Sequence, residues 1–122
     1  MSISNLAAQY NKFQTEFGAG QDLNYEEKIK LLFTPAFKKI ANGKEITSDR
    51  SQLYDQLCSV KDSAGNWSIT EKEIISSSDN KKCTISYIIK TEKIGVFEVI
   101  AILSSPDSKK IHNIYEVYYQ VL

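Results

Sequence analysis

Glu116 is the side chain whose type and setting most suggest chemistry. The closing run Lys110 to Leu122 alternates at strand period, so Ile114, Glu116, Tyr118 and Leu122 share one face while Tyr115, Val117, Tyr119 and Val121 share the other. A carboxylate on a largely apolar face is costly unless paired, and in such a place it can act as a general acid or base. The plainer use is a carboxylate at a rim, solvated or paired with Lys90 or Arg50. His112 lies on the same alternation, but four strand residues hold it roughly 13 Å from Glu116, too far for a direct proton relay. Arg50, the sole arginine, offers a planar fork for a ligand carboxylate, with a surface salt bridge as the alternative. Cys58 and Cys83 have no base nearby in sequence to activate a thiolate and read as small core residues. Gly18-Ala19-Gly20 precedes no phosphate-loop lysine. The pairs Lys38-Lys39, Lys81-Lys82 and Lys109-Lys110 lack interleaved aromatics and read as solvated loop charges.

These residues must be positioned by helices in the first half of the chain and strands in the second, an α+β order. Ile3, Leu6, Ala7, Tyr10, Phe13, Gln14 and Phe17 recur at helical steps, and the glycines at 18 and 20 end that helix. A second helix is predicted after Asn24, with Glu26 and Glu27 at its positive end and Ile29, Leu32 and Phe33 on its inner stripe. Pro35 should break it at Thr34, and a short helical piece from Pro35 to Ile40 is expected to follow. Lys44 to Ile46 suggests a very short strand or connector. Ser48 or Asp49 then caps a third helix with Leu53, Tyr54, Leu57, Cys58 and Val60 inward, ending by Gly65. Four strands follow, Trp67 to Ser77, Lys82 to Thr91, Val96 to Ser104 and Lys110 to Leu122, joined by short turn-rich links that favour an antiparallel meander.

Length and charge bound the rest. At 122 residues and 13.8 kDa the chain, 1–122, has room for a single domain. Fifteen basic against fifteen acidic residues give no net field toward nucleic acid or an anionic membrane. One histidine and two cysteines supply no soft-ligand metal set, and no cofactor is expected. The start MSISNLAAQY has no basic region followed by an apolar one, and no long apolar stretch occurs, so a cytoplasmic protein is expected. The third strand is apolar on both faces, with Phe97, Val99, Ala101 and Leu103 opposite Val96, Ile100 and Ile102. Helices in so short a chain can cover only one of them. The other calls for a second copy, and a homodimer through the outer sheet face is expected.

The element order, with Ala8-Gln9-Tyr10, Leu32-Phe33-Thr34-Pro35-Ala36-Phe37, Gly43 leading to Asp49-Arg50, and the closing Lys110-Ile111-His112-Asn113-Ile114-Tyr115-Glu116-Val117-Tyr118, resembles the NTF2-like (cystatin-like) cone fold. That superfamily includes SnoaL-like cyclases and ketosteroid isomerase. The resemblance implies three N-terminal helices packed on a curved antiparallel meander sheet around a conical, apolar pocket. It directs Ile114, Glu116 and Tyr118 into the cone beside Phe97, Val99 and Ala101, with Phe33 in its wall and Tyr10 reaching in from the first helix. Tyr10 matches the isomerase's oxyanion tyrosine, whereas the base falls near Ile40 and the second oxyanion donor near Ala101, neither of which can carry a proton. The implied function is binding of an apolar small molecule, with Tyr10 and Glu116 as candidates for cofactor-independent isomerase, cyclase or dehydratase chemistry on a carbonyl compound. A non-catalytic dimeric interaction module is the alternative, and an accessory subunit of a larger enzyme a third.

Overall fold

The computed structural model describes residues 2–122. Helix α1 (Ile3–Gly18) is capped by Ser2, whose hydroxyl accepts the Asn5 N–H at 3.2 Å. Its far end is sealed by Lys61, whose Nζ donates to the Phe17 and Gly18 carbonyls at 2.6 and 2.7 Å. Helix α2 (Tyr25–Leu32) starts at the Asn24 cap, as its sequence implies.

The segment after α2 departs from the predicted helical piece. Phe33–Ala41 is a strand, β1. Pro35 forces the preceding residue out of the helical region, and the chain then stays extended because it gains strand partners on both sides. The pairing with the last strand slips between Phe33 and Lys38, which accommodates a proline that cannot donate. The Asn42-Gly43 turn, with both residues at positive φ, leads into β2 (Lys44–Thr47).

Asp49 caps a 3₁₀ turn (Arg50–Gln52) rather than the third helix itself, and α3 (Leu53–Ala64) continues from it. Leu53 and Leu57 point inward, but Tyr54 and Val60, expected with them, are exposed. Strands β3 (Trp67–Ser76), β4 (Lys82–Thr91), β5 (Val96–Ser104) and β6 (Ile111–Gln120) follow with the expected antiparallel pairings.

The sheet corrects the expectation of a curved antiparallel meander. Among the described residues it has six strands in the order β2-β1-β6-β5-β4-β3, β1 and β6 run parallel, and it is not strongly curled. With β1 and β2 added beyond β6, the surface under the helices widens without the sheet having to wrap round them. The core fills the space between, with Phe33, Phe37, Ile85, Leu103, Ile111 and Ile114 fully buried. On the other face Ile100, Ile102, Tyr115, Val117 and Tyr119 are exposed.

Candidate functional site

Toward one end of the sheet the helices part from the strands and leave a pocket of about 570 Å³, within the range of small-molecule sites. One wall is sheet: Lys39 and Ala41 of β1, Tyr87 and Ile89 of β4, Phe97 and Val99 of β5, Glu116 and Tyr118 of β6. The other is α3, which contributes Gln56, Leu57, Val60, Ser63 and Ala64, with Gln14 of α1 and Trp67 of β3 between the walls. Asn42, Lys44 and Ile94 stand at the edge. Phe97 and Tyr118 pack edge to face, with centroids 6.1 Å apart, and leave the cavity open.

Of the side chains predicted for the site, Phe97, Val99, Glu116 and Tyr118 line this pocket. Tyr10, Phe33, Ala101 and Ile114 are buried in the core and do not line it. Ala101 nevertheless shapes the site. In the ladder Glu116 lies between Ala41 on β1 and Ala101 on β5, two small neighbours that leave room for a carboxylate on an otherwise filled face.

The partner of Glu116 is neither Lys90 nor Arg50 but Lys39, whose Nζ lies 3.3 Å from Glu116 Oε1. Both side chains are more than nine-tenths buried. Lys39 Nζ also donates to the Tyr10 hydroxyl at 3.4 Å, so Tyr10 supports the cation from behind. Burial alone would lower the Lys39 pKa, but the nearby Glu116 charge, aided by Tyr87 and Tyr118, outweighs it and the net shift is upward. Lys39 is therefore an ammonium, a donor rather than a nucleophile. Burial, followed by the Glu116 charge, holds the Tyr10 and Tyr87 phenols well above their ordinary value, so both stay neutral. Tyr87 donates to Gln14 Oε1 at 3.3 Å, and Gln14 Nε2 reaches Asn11 Oδ1 at 3.4 Å. The Gln14 carbonyl accepts the Trp67 indole N–H at 3.1 Å. The inward polar residues of α1 thus fix the orientation of the pocket floor.

In the sequence the adjacent Lys38 and Lys39 look like a solvated loop pair, which masks Lys39 as a site residue. As a strand, Phe37-Lys38-Lys39-Ile40-Ala41 puts Phe37, Lys39 and Ala41 on the buried face, a signal visible only once the proline is seen to start a strand. Arg50 is elsewhere, donating to the Phe33 carbonyl at 3.1 Å at the end of α2. His112 is exposed and meets the Thr34 hydroxyl at 2.9 Å. Cys83 is buried in the core, which pushes its thiol pKa up, and Cys58 is half-buried. Among the described residues no group of three acidic, histidine or cysteine side chains could hold a metal, and no helix is long and apolar enough to cross a membrane.

No family profile and no curated protein matches the sequence at a significant level. Solved structures do. An NTF2-like protein of unknown function from Exiguobacterium superposes with a TM-score of 0.77 at 12% identity, over 95% of this chain and 99% of that one. The chain has the NTF2-like fold. An Agrobacterium tumefaciens protein of the SnoaL-like family, with a suggested isomerase role, matches at TM-score 0.73 and 8% identity over 94% and 95% of the two chains. A Jannaschia protein with a suggested SnoaL-like polyketide cyclase role matches at 0.73 and 7% over 94% and 85%. Within this NTF2-like fold the pocket between α3 and the sheet carries the buried ion pair of Lys39 and Glu116.

Proposed function

We propose that the protein binds a small, mainly apolar carbonyl compound in the pocket and moves a proton on it without a cofactor, as in isomerisation, cyclisation or dehydration. The observation that carries this reading is the Lys39–Glu116 pair, both members of which are buried and line the pocket. Glu116 acts as proton acceptor. The Lys39 ammonium, steadied by Tyr10, stabilises the negative charge that develops on the ligand oxygen. The suggested isomerase and cyclase roles of two structurally similar proteins agree with this class of reaction.

Proton exchange tests it without knowing the natural substrate. Cyclic ketones and β-dicarbonyl compounds in D₂O should exchange α-protons faster with the protein than without it, followed by NMR. Glu116→Gln should lower the enzymatic rate by about 10²-fold or more. Equal exchange with the variant, or none above the buffer rate for any compound, would refute the catalytic role.

The outer sheet face supports a homodimer. Ile100, Ile102, Tyr115, Val117 and Tyr119 form an exposed apolar surface with tyrosine tips, the composition favoured at interfaces. Sedimentation at micromolar concentration should give a dimer, and Val117→Asp a monomer; a monomeric wild type would remove this part of the reading.

A further inference from the structure

Asn42 sits where β1 ends beside the pocket. The parallel pairing of β1 with β6 stops at Ala41 opposite Glu116, and the chain turns away through Asn42 and Gly43 toward β2. From that point β6 lies next to a turn instead of a strand. The next main-chain groups of β6 that face this side belong to Tyr118, and Asn42 meets both of them. Its Oδ1 accepts the Tyr118 N–H at 2.9 Å and its Nδ2 donates to the Tyr118 carbonyl at 3.2 Å, while its own main-chain N–H donates to the Glu116 carbonyl at 2.9 Å. A side-chain amide carries a donor and an acceptor side by side, as a peptide group does, so it stands in for one more rung of the ladder. The turn itself needs only a residue that tolerates a φ of 50°, which glycine would satisfy. The amide is extra to the turn and serves Tyr118.

The rung holds a side chain that faces the site. Tyr118 lines the pocket on the same strand face as Glu116, and its ring packs edge to face on Phe97. Asn42 thus fixes its main chain and Phe97 its ring. Two other tyrosines near the ion pair have committed hydroxyls, since Tyr10 accepts from Lys39 and Tyr87 donates to Gln14. The Tyr118 hydroxyl has no hydrogen-bond partner among the described residues, and the side chain is 43% exposed at the mouth. An oriented donor left open on an otherwise apolar wall is what a ligand oxygen requires.

We propose that the Tyr118 hydroxyl donates to the carbonyl oxygen of the ligand and that Asn42 is the positioning residue that aims it. The inference deepens the proposed function, since it rests on the same pocket holding a carbonyl compound and adds an accessible donor and the residue that sets its place.

Two probes of like shape test it: 2-tetralone, a ketone, and tetralin, the same ring system without the oxygen, titrated into the full-length protein at neutral pH and followed by NMR. The wild type should bind the ketone more tightly than the hydrocarbon. Tyr118→Phe should weaken the ketone about threefold to tenfold, the worth of one hydrogen bond, and leave the hydrocarbon within about twofold. Asn42→Gly keeps the turn but removes the amide, and should do the same. In Asn42→Gly/Tyr118→Phe the ketone should bind no more weakly than in either single variant, because both changes remove one interaction. The carbonyl stretch of the bound ketone should rise to higher wavenumber in all three variants, a signature that a loss of stability alone does not produce. Should Asn42→Gly fold poorly, Asn42→Asp, which keeps the acceptor for the Tyr118 N–H, should show a smaller loss of the same kind. If the Asn42 variant leaves the ketone unaffected, weakens both probes alike or adds to Tyr118→Phe, the positioning inference falls while ligand binding stands. If Tyr118→Phe leaves the ketone unchanged, the donor assignment falls as well. If neither probe binds the wild type up to its solubility limit, the ligand-pocket reading falls and takes this inference with it.

Discussion

Replacing Lys39 by methionine leaves Glu116 as a buried carboxylate with no counter-charge. Lys39 is 8% and Glu116 9% exposed at the side chain, so water can do little to compensate. Breaking such a pair from one side costs about 3–5 kcal/mol, a large part of the total for a domain of this size. With an unfolding entropy of about 2.1 cal/mol/K per residue, this corresponds to a melting temperature lower by about 12–20 °C. Removing both charges in Lys39→Met/Glu116→Leu restores most of the loss, because an apolar pair of similar volume needs no partner. Urea and thermal unfolding of the four proteins in this cycle give the coupling directly. A loss under 1 kcal/mol, or a double variant no more stable than the sum of the singles, would show that the pair is not the buried, mutually dependent unit described above.

Three further outcomes follow from the same structure. Lys39, Tyr10 and Tyr87 all have folded pKa values raised above their ordinary ones, so their contributions are complete below about pH 10 and fade as pH rises beyond it; melting between pH 8 and 12 should show this loss, and Tyr87→Phe should flatten part of it. Asp49, Asp79 and Asp107 are lowered, chiefly by hydrogen bonds from Ser51, from Ser77 and from the Lys109 N–H respectively, so each stabilises above about pH 4 and ceases to as pH falls through its depressed value; Asp79→Asn should make the acid limb shallower. A Cβ at Gly18 would strike the Trp67 indole and carbonyl, so Gly18→Ala should cost about 1–3 kcal/mol and shift the Trp67 fluorescence; an unchanged melting temperature and spectrum would mean that the close approach of α1 to β3 is not needed.

The sequence made the alternation of β3 to β6 legible because each strand has enough consecutive residues to show its period, and the turns between them are short. Alternation groups Glu116 with Ile114 and Tyr118, and it is the resemblance to the cone fold that turns this face inward. The sequence did not reveal β1, since a proline and two adjacent lysines obscure the alternation, and strand identity there is decided by pairing with β6 far along the chain. Both the parallel pairing and the lysine beside Glu116 depend on that strand. The helical spacing of Tyr10 marks it as inward, but whether it touches a ligand or supports a neighbour depends on which side chain stands in front of it. Here that side chain is Lys39.

All neighbouring strands are also neighbours in sequence except β1 and β6, whose parallel seam joins segments roughly seventy residues apart, across which loop closure is entropically expensive. Lys39 and Glu116 lie on opposite sides of that seam. Hairpins from β3 to β6 need no such closure, whereas burying the two charges against each other requires the β1–β6 seam to form. Slow steps in refolding should accordingly be sensitive to the very residues that equip the pocket, binding the timetable of assembly to the arrival of a competent site.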